Sequence, residues 1–155
     1  MKISLIGALV LTLAAAAISA DAKPLPSGGM TAQEVASWLQ SRGYKADLGT
    51  TDHGAPLISS ATQGVNFKVH FYDCKEGRCA SIQFLAGFTT DGSYSLAKAN
   101  DWNTAKRWAT ATVDEEQDPW LAEDVSLSPG GTYENLSDEF EIWNDMLGEF
   151  LKTVR

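Results

Sequence analysis

Hydrophobic and polar residues alternate in two neighbouring stretches near the middle of the chain. From residue 65 to 71 and again from 82 to 88, every second residue is apolar: Val65, Phe67, Val69 and Phe71, then Ile82, Phe84, Ala86 and Phe88. Alternation with a period of two places one row of side chains on each face of a strand. The pattern therefore predicts a β-hairpin with one buried face, whose turn is formed by residues 75–78.

Three other stretches have helical spacing. The first covers about 31–42, because Thr31 and Glu34 match a capping box and Gly43 supplies a stop signal. A shorter helix begins after Ser95 and ends near Asn103. The third covers about 133–152, with Thr132 as its cap.

The third helix carries a continuous apolar stripe. Its large apolar residues follow one another at spacings of three or four: Leu136, Phe140, Trp143, Leu147, Phe150 and Val154. Such a stripe must be covered, either by the sheet of the same chain or by the same helix of a second chain. We favour the sheet, because a single antiparallel sheet needs a cover and the first helix has only about three turns.

Four more strands complete the predicted fold, at about 44–52, 56–62, 107–113 and 120–127. The element order is αββββαββα. Consecutive strands are joined by hairpins and not by crossover helices, so the sheet is antiparallel. The sequence thus predicts an α+β domain with a sheet of five to six strands and helices packed on one face.

The N-terminus has the pattern of a secretory signal peptide. Lys2 precedes an apolar run from Ile3 to Ile18, and Ala20-Asp21-Ala22 fits the A-x-A cleavage form. The run is shorter than the about 20 apolar residues of a membrane span, although an uncleaved anchor is the alternative. We expect residues 1–22 to be a signal peptide cleaved after Ala20 or Ala22, and a periplasmic or secreted mature protein that does not associate with the membrane.

The segment after the signal peptide contains two prolines and two glycines, in KPLPSGG. These residues disfavour regular structure. The sequence predicts a flexible leader at 23–30 and a single domain at 31–155.

The net charge of the chain argues against two classes of binding partner. The chain has 20 acidic and 12 basic residues, for a net charge of −8, and cleavage after Ala22 removes one of each sign. An acidic protein lacks the basic surface that nucleic acids and anionic membranes require. We therefore expect neither as a partner.

Cys74 and Cys79 flank the turn of the predicted hairpin. Opposed hairpin positions suit the geometry of a disulfide, and an exported protein meets an oxidising environment. A redox dithiol is the alternative, but such pairs usually have the C-x-x-C spacing. Together with His70, the two cysteines also suggest a zinc site, but these three ligands are one fewer than a structural zinc site needs. We predict a structural disulfide, with no bound metal and no cofactor.

Other candidate chemistry is sparse. The acidic cluster of Asp114, Glu115, Glu116 and Asp118 lacks the spacing of a calcium loop. Carboxylates from Asp114, Glu116, Glu123 and Asp124 could serve a hydrolase. Of the five tryptophans, Trp102, Trp108 and Trp120 flank the second predicted hairpin. Each is either a core residue or part of an exposed aromatic patch that anchors a partner.

One stretch makes the chain recognisable. Five features follow one another in a fixed order: the segment Leu96-Ala-Lys-Ala-Asn-Asp-Trp-Asn103, the pair Lys106-Arg107, an acidic turn between two strands, the pair Gly130-Gly131, and an acidic helix with Trp143. Together they resemble the YbjN-domain family of bacterial sensory transduction regulators. The most recognisable motif residues are Asn100, Trp102, Asn103 and Arg107. The resemblance covers about 31–152. It implies a fold similar to type III secretion chaperones, no catalytic residues and no cofactor.

The leading functional hypothesis follows from this resemblance and from the surplus of aromatic residues. We expect a non-enzymatic exported protein that binds another protein or a peptide, as a chaperone-like or regulatory module, with a homodimer compatible with the family. The alternative is a periplasmic hydrolase that uses carboxylates of the 114–124 region. We expect Asn100 and Asn103 to hold the turn into the next strand.

Overall fold

The computed structural model describes residues 22–154. It contains three helices and six strands in the predicted order: α1 (Ala32–Ser41), β1 (Asp47–Thr50), β2 (Pro56–Thr62), β3 (Val65–Lys75), β4 (Arg78–Gly87), α2 (Leu96–Ala105), β5 (Thr110–Val113), β6 (Pro119–Ser126) and α3 (Tyr133–Phe150). The expected α+β class is confirmed. No helix among the described residues is long and apolar enough to span a membrane.

All six strands form one antiparallel sheet in the order β1-β2-β3-β4-β6-β5. The alternation seen in the sequence becomes the two faces of this sheet. One face is buried and carries Phe67, Val69 and Phe71 of β3 opposite Ile82 and Phe84 of β4. The other face carries the intervening residues, which are half-buried or exposed.

Helix α3 covers the buried face with its apolar stripe. Leu136, Phe140, Trp143, Leu147 and Phe150 are all buried within the single chain. The indole of Trp143 stacks on the ring of Phe84, with centroids 5.7 Å apart, and lies the same distance from the ring of Phe67. The stripe is therefore covered by the chain's own sheet, as favoured from the sequence.

The three helix starts are fixed by side-chain caps. Thr31 and Glu34 form the expected capping box on α1: the amide of Glu34 donates to Thr31 Oγ1 over 3.1 Å, and the amide of Thr31 donates to Glu34 Oε2 over 2.9 Å. At the starts of α2 and α3, Ser95 and Thr132 accept from the backbone amides of Lys98 and Asn135. Each cap satisfies backbone amides that the first turn of a helix leaves without a partner.

Strands β1 and β5 are shorter than predicted because neighbouring helices bind the backbone before them. The amide of Tyr44 donates to Leu39 O at the end of α1, and Gln40 Nε2 donates to Ala46 O. Before β5, the Trp102 indole donates to Ala109 O, and Ala109 has a positive φ of 46°. Both segments are thus held out of the sheet.

Residues 23–30, predicted as a flexible leader, are held against the domain. The amide of Leu25 donates to Gly131 O over 2.8 Å, and the amide of Tyr133 donates to Lys23 O over 2.9 Å. The Leu25 side chain is buried. The Pro and Gly residues do prevent a helix or strand, but the segment finds its backbone partners in distant parts of the chain.

The tip of the β3–β4 hairpin holds the other end of this segment. Met30 and Cys79 exchange backbone hydrogen bonds of 2.9 and 3.2 Å. Gly29 has a φ of +93°, and a Cβ there would lie 2.0 Å from Cys79 O, so only glycine fits. Cys79 itself forms a disulfide with Cys74, as predicted, with the two Cα atoms 3.9 Å apart.

Candidate functional site

One face of the sheet is not covered by any of the three described helices. We call it the open face. It is formed by the outward side chains of β2, β3, β4 and β6, among them Leu57, Lys68, His70, Tyr72, Gln83, Leu85, Trp120, Ala122 and Asp124.

The centre of the open face is apolar. Leu85 pairs across the sheet with Lys68 on one side and with Ala122 on the other. Tyr72 and Trp120 lie on the same face and are both exposed, Trp120 to 36%. A concavity of about 560 Å³ lies beside Leu85, and its lining includes Phe88 and Trp120. Large exposed aromatic side chains around an aliphatic centre are typical of surfaces that bind other proteins.

Trp120 is held in a fixed position on this face. It pairs across the strands with Gly87, and a Cβ at Gly87 would come within 2.7–2.8 Å of three ring carbons of Trp120. Its indole Nε1 donates to Asp114 Oδ2 over 2.8 Å. This hydrogen bond is the main reason why the pKa of Asp114 is lowered. These contacts hold the partly exposed ring in one orientation.

Polar groups border the apolar centre and bond mainly to one another. Lys68 Nζ donates to Ser59 Oγ over 2.7 Å, and Gln83 Nε2 donates to Asp124 Oδ1 over 2.9 Å. Burial, and to a smaller extent the Lys68 ammonium, lowers the pKa of His70. The lowered pKa favours the neutral form of His70 near pH 7, and Lys68 places a positive charge at the border of the apolar centre.

The three tryptophans singled out from the sequence do not share one surface. Trp102 is 5% exposed and packs edge-on against Phe150 at 4.9 Å, so it belongs to the core. Trp108 is 41% exposed in the connection before β5, with the Arg107 guanidinium 4.4 Å from its ring centroid. Only Trp120 lies on the open face.

Two of the motif residues fix the edge strand β5. Asn103 Nδ2 donates to Ala111 O over 2.9 Å, and the amide of Ala111 donates to Asn103 Oδ1 over 2.8 Å. Trp102 Nε1 donates to Ala109 O over 2.8 Å. The side chain of Asn100, in contrast, is exposed and makes no hydrogen bond to any described residue, so the structural function expected for both asparagines applies to Asn103 alone.

Asn103→Ala should therefore destabilise the protein, and Asn100→Ala should not. The first change leaves the amide and carbonyl of Ala111 without their partners, which we expect to lower the free energy of unfolding by about 2 kcal/mol. The second removes an exposed side chain, with an expected effect within about 0.5 kcal/mol. Urea unfolding followed by circular dichroism measures both. Equal stability of the two variants would contradict the assigned function of Asn103.

The carboxylates considered for a hydrolase are not brought together. Asp114 lies in the β5–β6 turn, where it accepts from Trp120 and from the amide of Asp118. Glu123 and Asp124 are consecutive in β6, so they point to opposite faces of the sheet. Glu116 is exposed in the turn. The described residues also hold no group of three or more histidines, cysteines or carboxylates that could bind a metal ion.

Glu123 is unusual because it points into the core. It is 5% exposed, and neither carboxylate oxygen has a hydrogen-bond partner among the described residues. Burial, and secondly the Glu139 carboxylate on α3, raises its pKa to about 8. The alternation Leu121, Glu123, Val125 in the sequence is the signal that would have placed it there.

Leu85 and Lys68 of the open face were not predicted as functional residues from the sequence. They lie on the outward side of the two alternating stretches, at positions typical of ordinary surface residues. Only the register of β3, β4 and β6 brings them together with Ala122.

Comparisons with known proteins agree with the fold. A family model described as "YbjN: Putative bacterial sensory transduction regulator" matches residues 31–155, which include every helix and strand of the structure. A search of curated proteins finds no match. Since the family model covers most of the chain, and the motif residues Trp102 and Asn103 fix strand β5 as described, the chain belongs to the YbjN family.

Proposed function

We propose that this protein is an exported, non-enzymatic regulatory module that binds a protein or peptide partner through the open face of its sheet. The family supports a regulatory function in the coarse sense. Binding and export are the parts that this proposal adds.

The open face is the observation that carries the proposal. A six-stranded sheet with helices on one side leaves the other side to solvent, and here that side has Leu85 at its centre with Tyr72 and Trp120 nearby. Trp and Tyr contribute most to binding energy when a partner excludes water from them. The fixed orientation of Trp120 lowers the entropic cost of association.

Export is supported by the signal-peptide pattern and by the disulfide. Residues 1–21 lie outside the described part of the chain, so the evidence for the signal peptide is its sequence: Lys2, the apolar run from Ile3 to Ile18, and the small residues before Lys23. The disulfide between Cys74 and Cys79 is the state expected in an oxidising compartment.

Leu85→Gln should weaken partner binding without unfolding the protein. Leu85 is half-buried at the centre of the open face and makes no contact that fixes a turn, whereas Trp120 also bonds to Asp114. The full chain is expressed in a bacterial host and recovered from the periplasmic fraction, which itself tests export. It is then cross-linked to periplasmic proteins, and captured proteins are quantified by mass spectrometry. We expect about tenfold less of the specific partner with Leu85→Gln.

Leu96→Ser is the matched control. Leu96 is the most exposed large apolar side chain among the described residues, at 74%, and it lies on α2, outside the strands that form the open face. This variant should capture the partner as the parent does. A set of captured proteins that is the same for all three forms, or recovery only from the cytoplasm, would contradict the proposal. Capture of a second copy of the chain through Leu85 would identify the partner as a homodimer.

A further inference from the structure

The ionisable side chains of the open face are distributed unevenly about its central strand, β4. Lys68 and His70 lie on β3, on one side of β4, and Asp124 lies on β6, on the other side. Lys68 and Asp124 are both exposed, and neither forms an ion pair in the described part of the chain. The face therefore has a basic half and an acidic half, with Leu85 of β4 on the line between them.

The strand register places these groups in two rows across the sheet. Lys68 is paired with Leu85 in one row. Two residues along β4, Gln83 is paired with His70 on one side and with Asp124 on the other. Neighbouring strands are evenly spaced, so His70 and Asp124 lie at about equal distances from β4, and Lys68 lies in the adjacent row of the same face.

A two-fold rotation brings the basic half onto the acidic half. When a second copy is turned by 180° about an axis that runs along β4, its β6 lies over β3 of the first copy. His70 then faces Asp124 of the partner subunit, and Lys68 lies diagonally opposite the same carboxylate. Leu85 lies over Leu85 of the partner subunit. A two-fold axis across the strands would instead place Lys68 over Lys68 of the partner subunit, which like-charge repulsion disfavours.

The strands at the edges of this overlap add no repulsion between like charges. On β1, Asp47 is already paired with Lys45. On β5, Thr110 and Thr112 are the residues that share a face with Ala122 and Trp120, and both are uncharged. The contact between Lys68 or His70 and Asp124 of the partner subunit therefore decides the electrostatic balance.

The overlap has the size of a protein–protein interface. It is five strands wide, from β2 to β5, and the ladder between β4 and β6 contains seven residue pairs. At about 4.8 Å between strands and about 3.4 Å per residue, its flat area is about 24 Å by 24 Å. Side-chain relief makes the accessible surface larger than the flat area, so each copy approaches the about 800 Å² that a standard interface buries per partner.

We propose that the open face binds a second copy of this chain, in a two-fold dimer whose axis runs along β4. Two sheets pack face to face at a separation of about 10 Å, a distance that a lysine and an aspartate side chain bridge together. The apolar contact between the two Leu85 side chains contributes affinity, and the opposite charges fix the orientation. This inference rests on the proposed function, because it names the partner of the same face.

The test exchanges the two charges. Sedimentation equilibrium is measured at about 1–100 µM for the parent chain recovered from the bacterial host, for Lys68→Glu, for Asp124→Lys and for their equimolar mixture. We expect the parent to dimerise with a dissociation constant of about 10 µM or lower. Each variant alone should dimerise at least about tenfold more weakly, because its homodimer contains two like-charge contacts. In the mixture the heterodimer regains both opposite-charge contacts, so dimerisation should return to within about threefold of the parent.

Asp138→Lys is the matched control, because it makes the same chemical change at an exposed position of α3, on the other side of the sheet. It should dimerise as the parent does, and its mixture with Lys68→Glu should show no recovery. Leu85→Gln changes no charge and should weaken the dimer about tenfold. Near-UV circular dichroism verifies that each variant is folded.

A parent that stays monomeric throughout the concentration range would overturn the proposal. So would single variants that dimerise like the parent, or a mixture of Lys68→Glu and Asp124→Lys that shows no recovery. If a monomeric parent still captured another protein through Leu85, the proposed function would stand and the dimer alone would be rejected.

Discussion

Trp143→Asp is expected to unfold the protein completely. Trp143 is fully buried at the middle of α3 and contacts both Phe67 and Phe84 on the sheet. Removing a buried tryptophan side chain costs about 3–5 kcal/mol, and the new carboxylate would have to be buried without a partner. The sum approaches the whole stability of a typical domain. Far-UV and near-UV circular dichroism should be lost together.

Trp108→Asp is the matched control, because it makes the same chemical change at an exposed site. Trp108 is 41% exposed, and its described contact is the Arg107 guanidinium above the ring. We expect this variant to remain folded, with a loss of about 1 kcal/mol or less. If Trp143→Asp instead gave a folded monomer from a dimeric parent, the α3 stripe would be an interface and not the core.

Glu123 should make the protein less stable as the pH rises. The folded state raises the pKa of this carboxyl from 4.5 to about 8, so the folded chain keeps a proton that the unfolded chain releases. The free energy of unfolding therefore falls between about pH 4.5 and pH 8, and it levels off above that range. The Glu123→Gln variant has no ionisable group at this position, so its free energy of unfolding should not show this dependence on pH.

At pH 8 we expect Glu123→Gln to be more stable than the parent, on the order of 4 kcal/mol, whereas at pH 4.5 the two should be similar. Thermal unfolding across this range measures the difference. Asp124→Asn is the control. The Asp124 carboxylate is next to Glu123 in the sequence, but it lies on the open face and accepts a hydrogen bond from Gln83. A parallel decline in Glu123→Gln and the parent would assign the pH dependence to other groups.

The parts of the fold that were predicted correctly rest on local patterns. The hairpin followed from alternation around Phe67 and Phe84, and α3 from the spacing of its stripe. The start of α1 followed from Thr31 and Glu34, whose reciprocal bonds lie within three residues. Each of these signals depends on residues that are close in sequence, so no tertiary information was needed.

The parts that were missed depend on contacts between distant residues. Leu25 is buried because its backbone bonds to Gly131, more than 100 residues away, and nothing in KPLPSGG indicates that partner. Trp102, Trp108 and Trp120 have similar local surroundings in sequence, and only the packing against Phe150 distinguishes the buried one. The residues of the open face could be identified only from the register of strands β3, β4 and β6.

Glu123 is a different kind of omission. Its position between Leu121 and Val125 continues the alternation of β6, so the pattern alone places it on the buried face. Grouping Glu123 with other acidic residues by charge hides this period.

The bonds from Asn103 to Ala111 also bear on self-assembly. A side-chain amide that occupies both the N–H and the C=O of an edge residue takes the place of a neighbouring strand, and a free strand of another molecule finds no pairing site there. At the opposite edge, β1 has only four residues and begins beside the ion pair of Lys45 and Asp47. Short, charged edges disfavour open-ended growth of the sheet. The exposed aromatic side chains of the open face are therefore flanked by sheet edges that do not recruit further strands, which disfavours fibril formation through strand pairing.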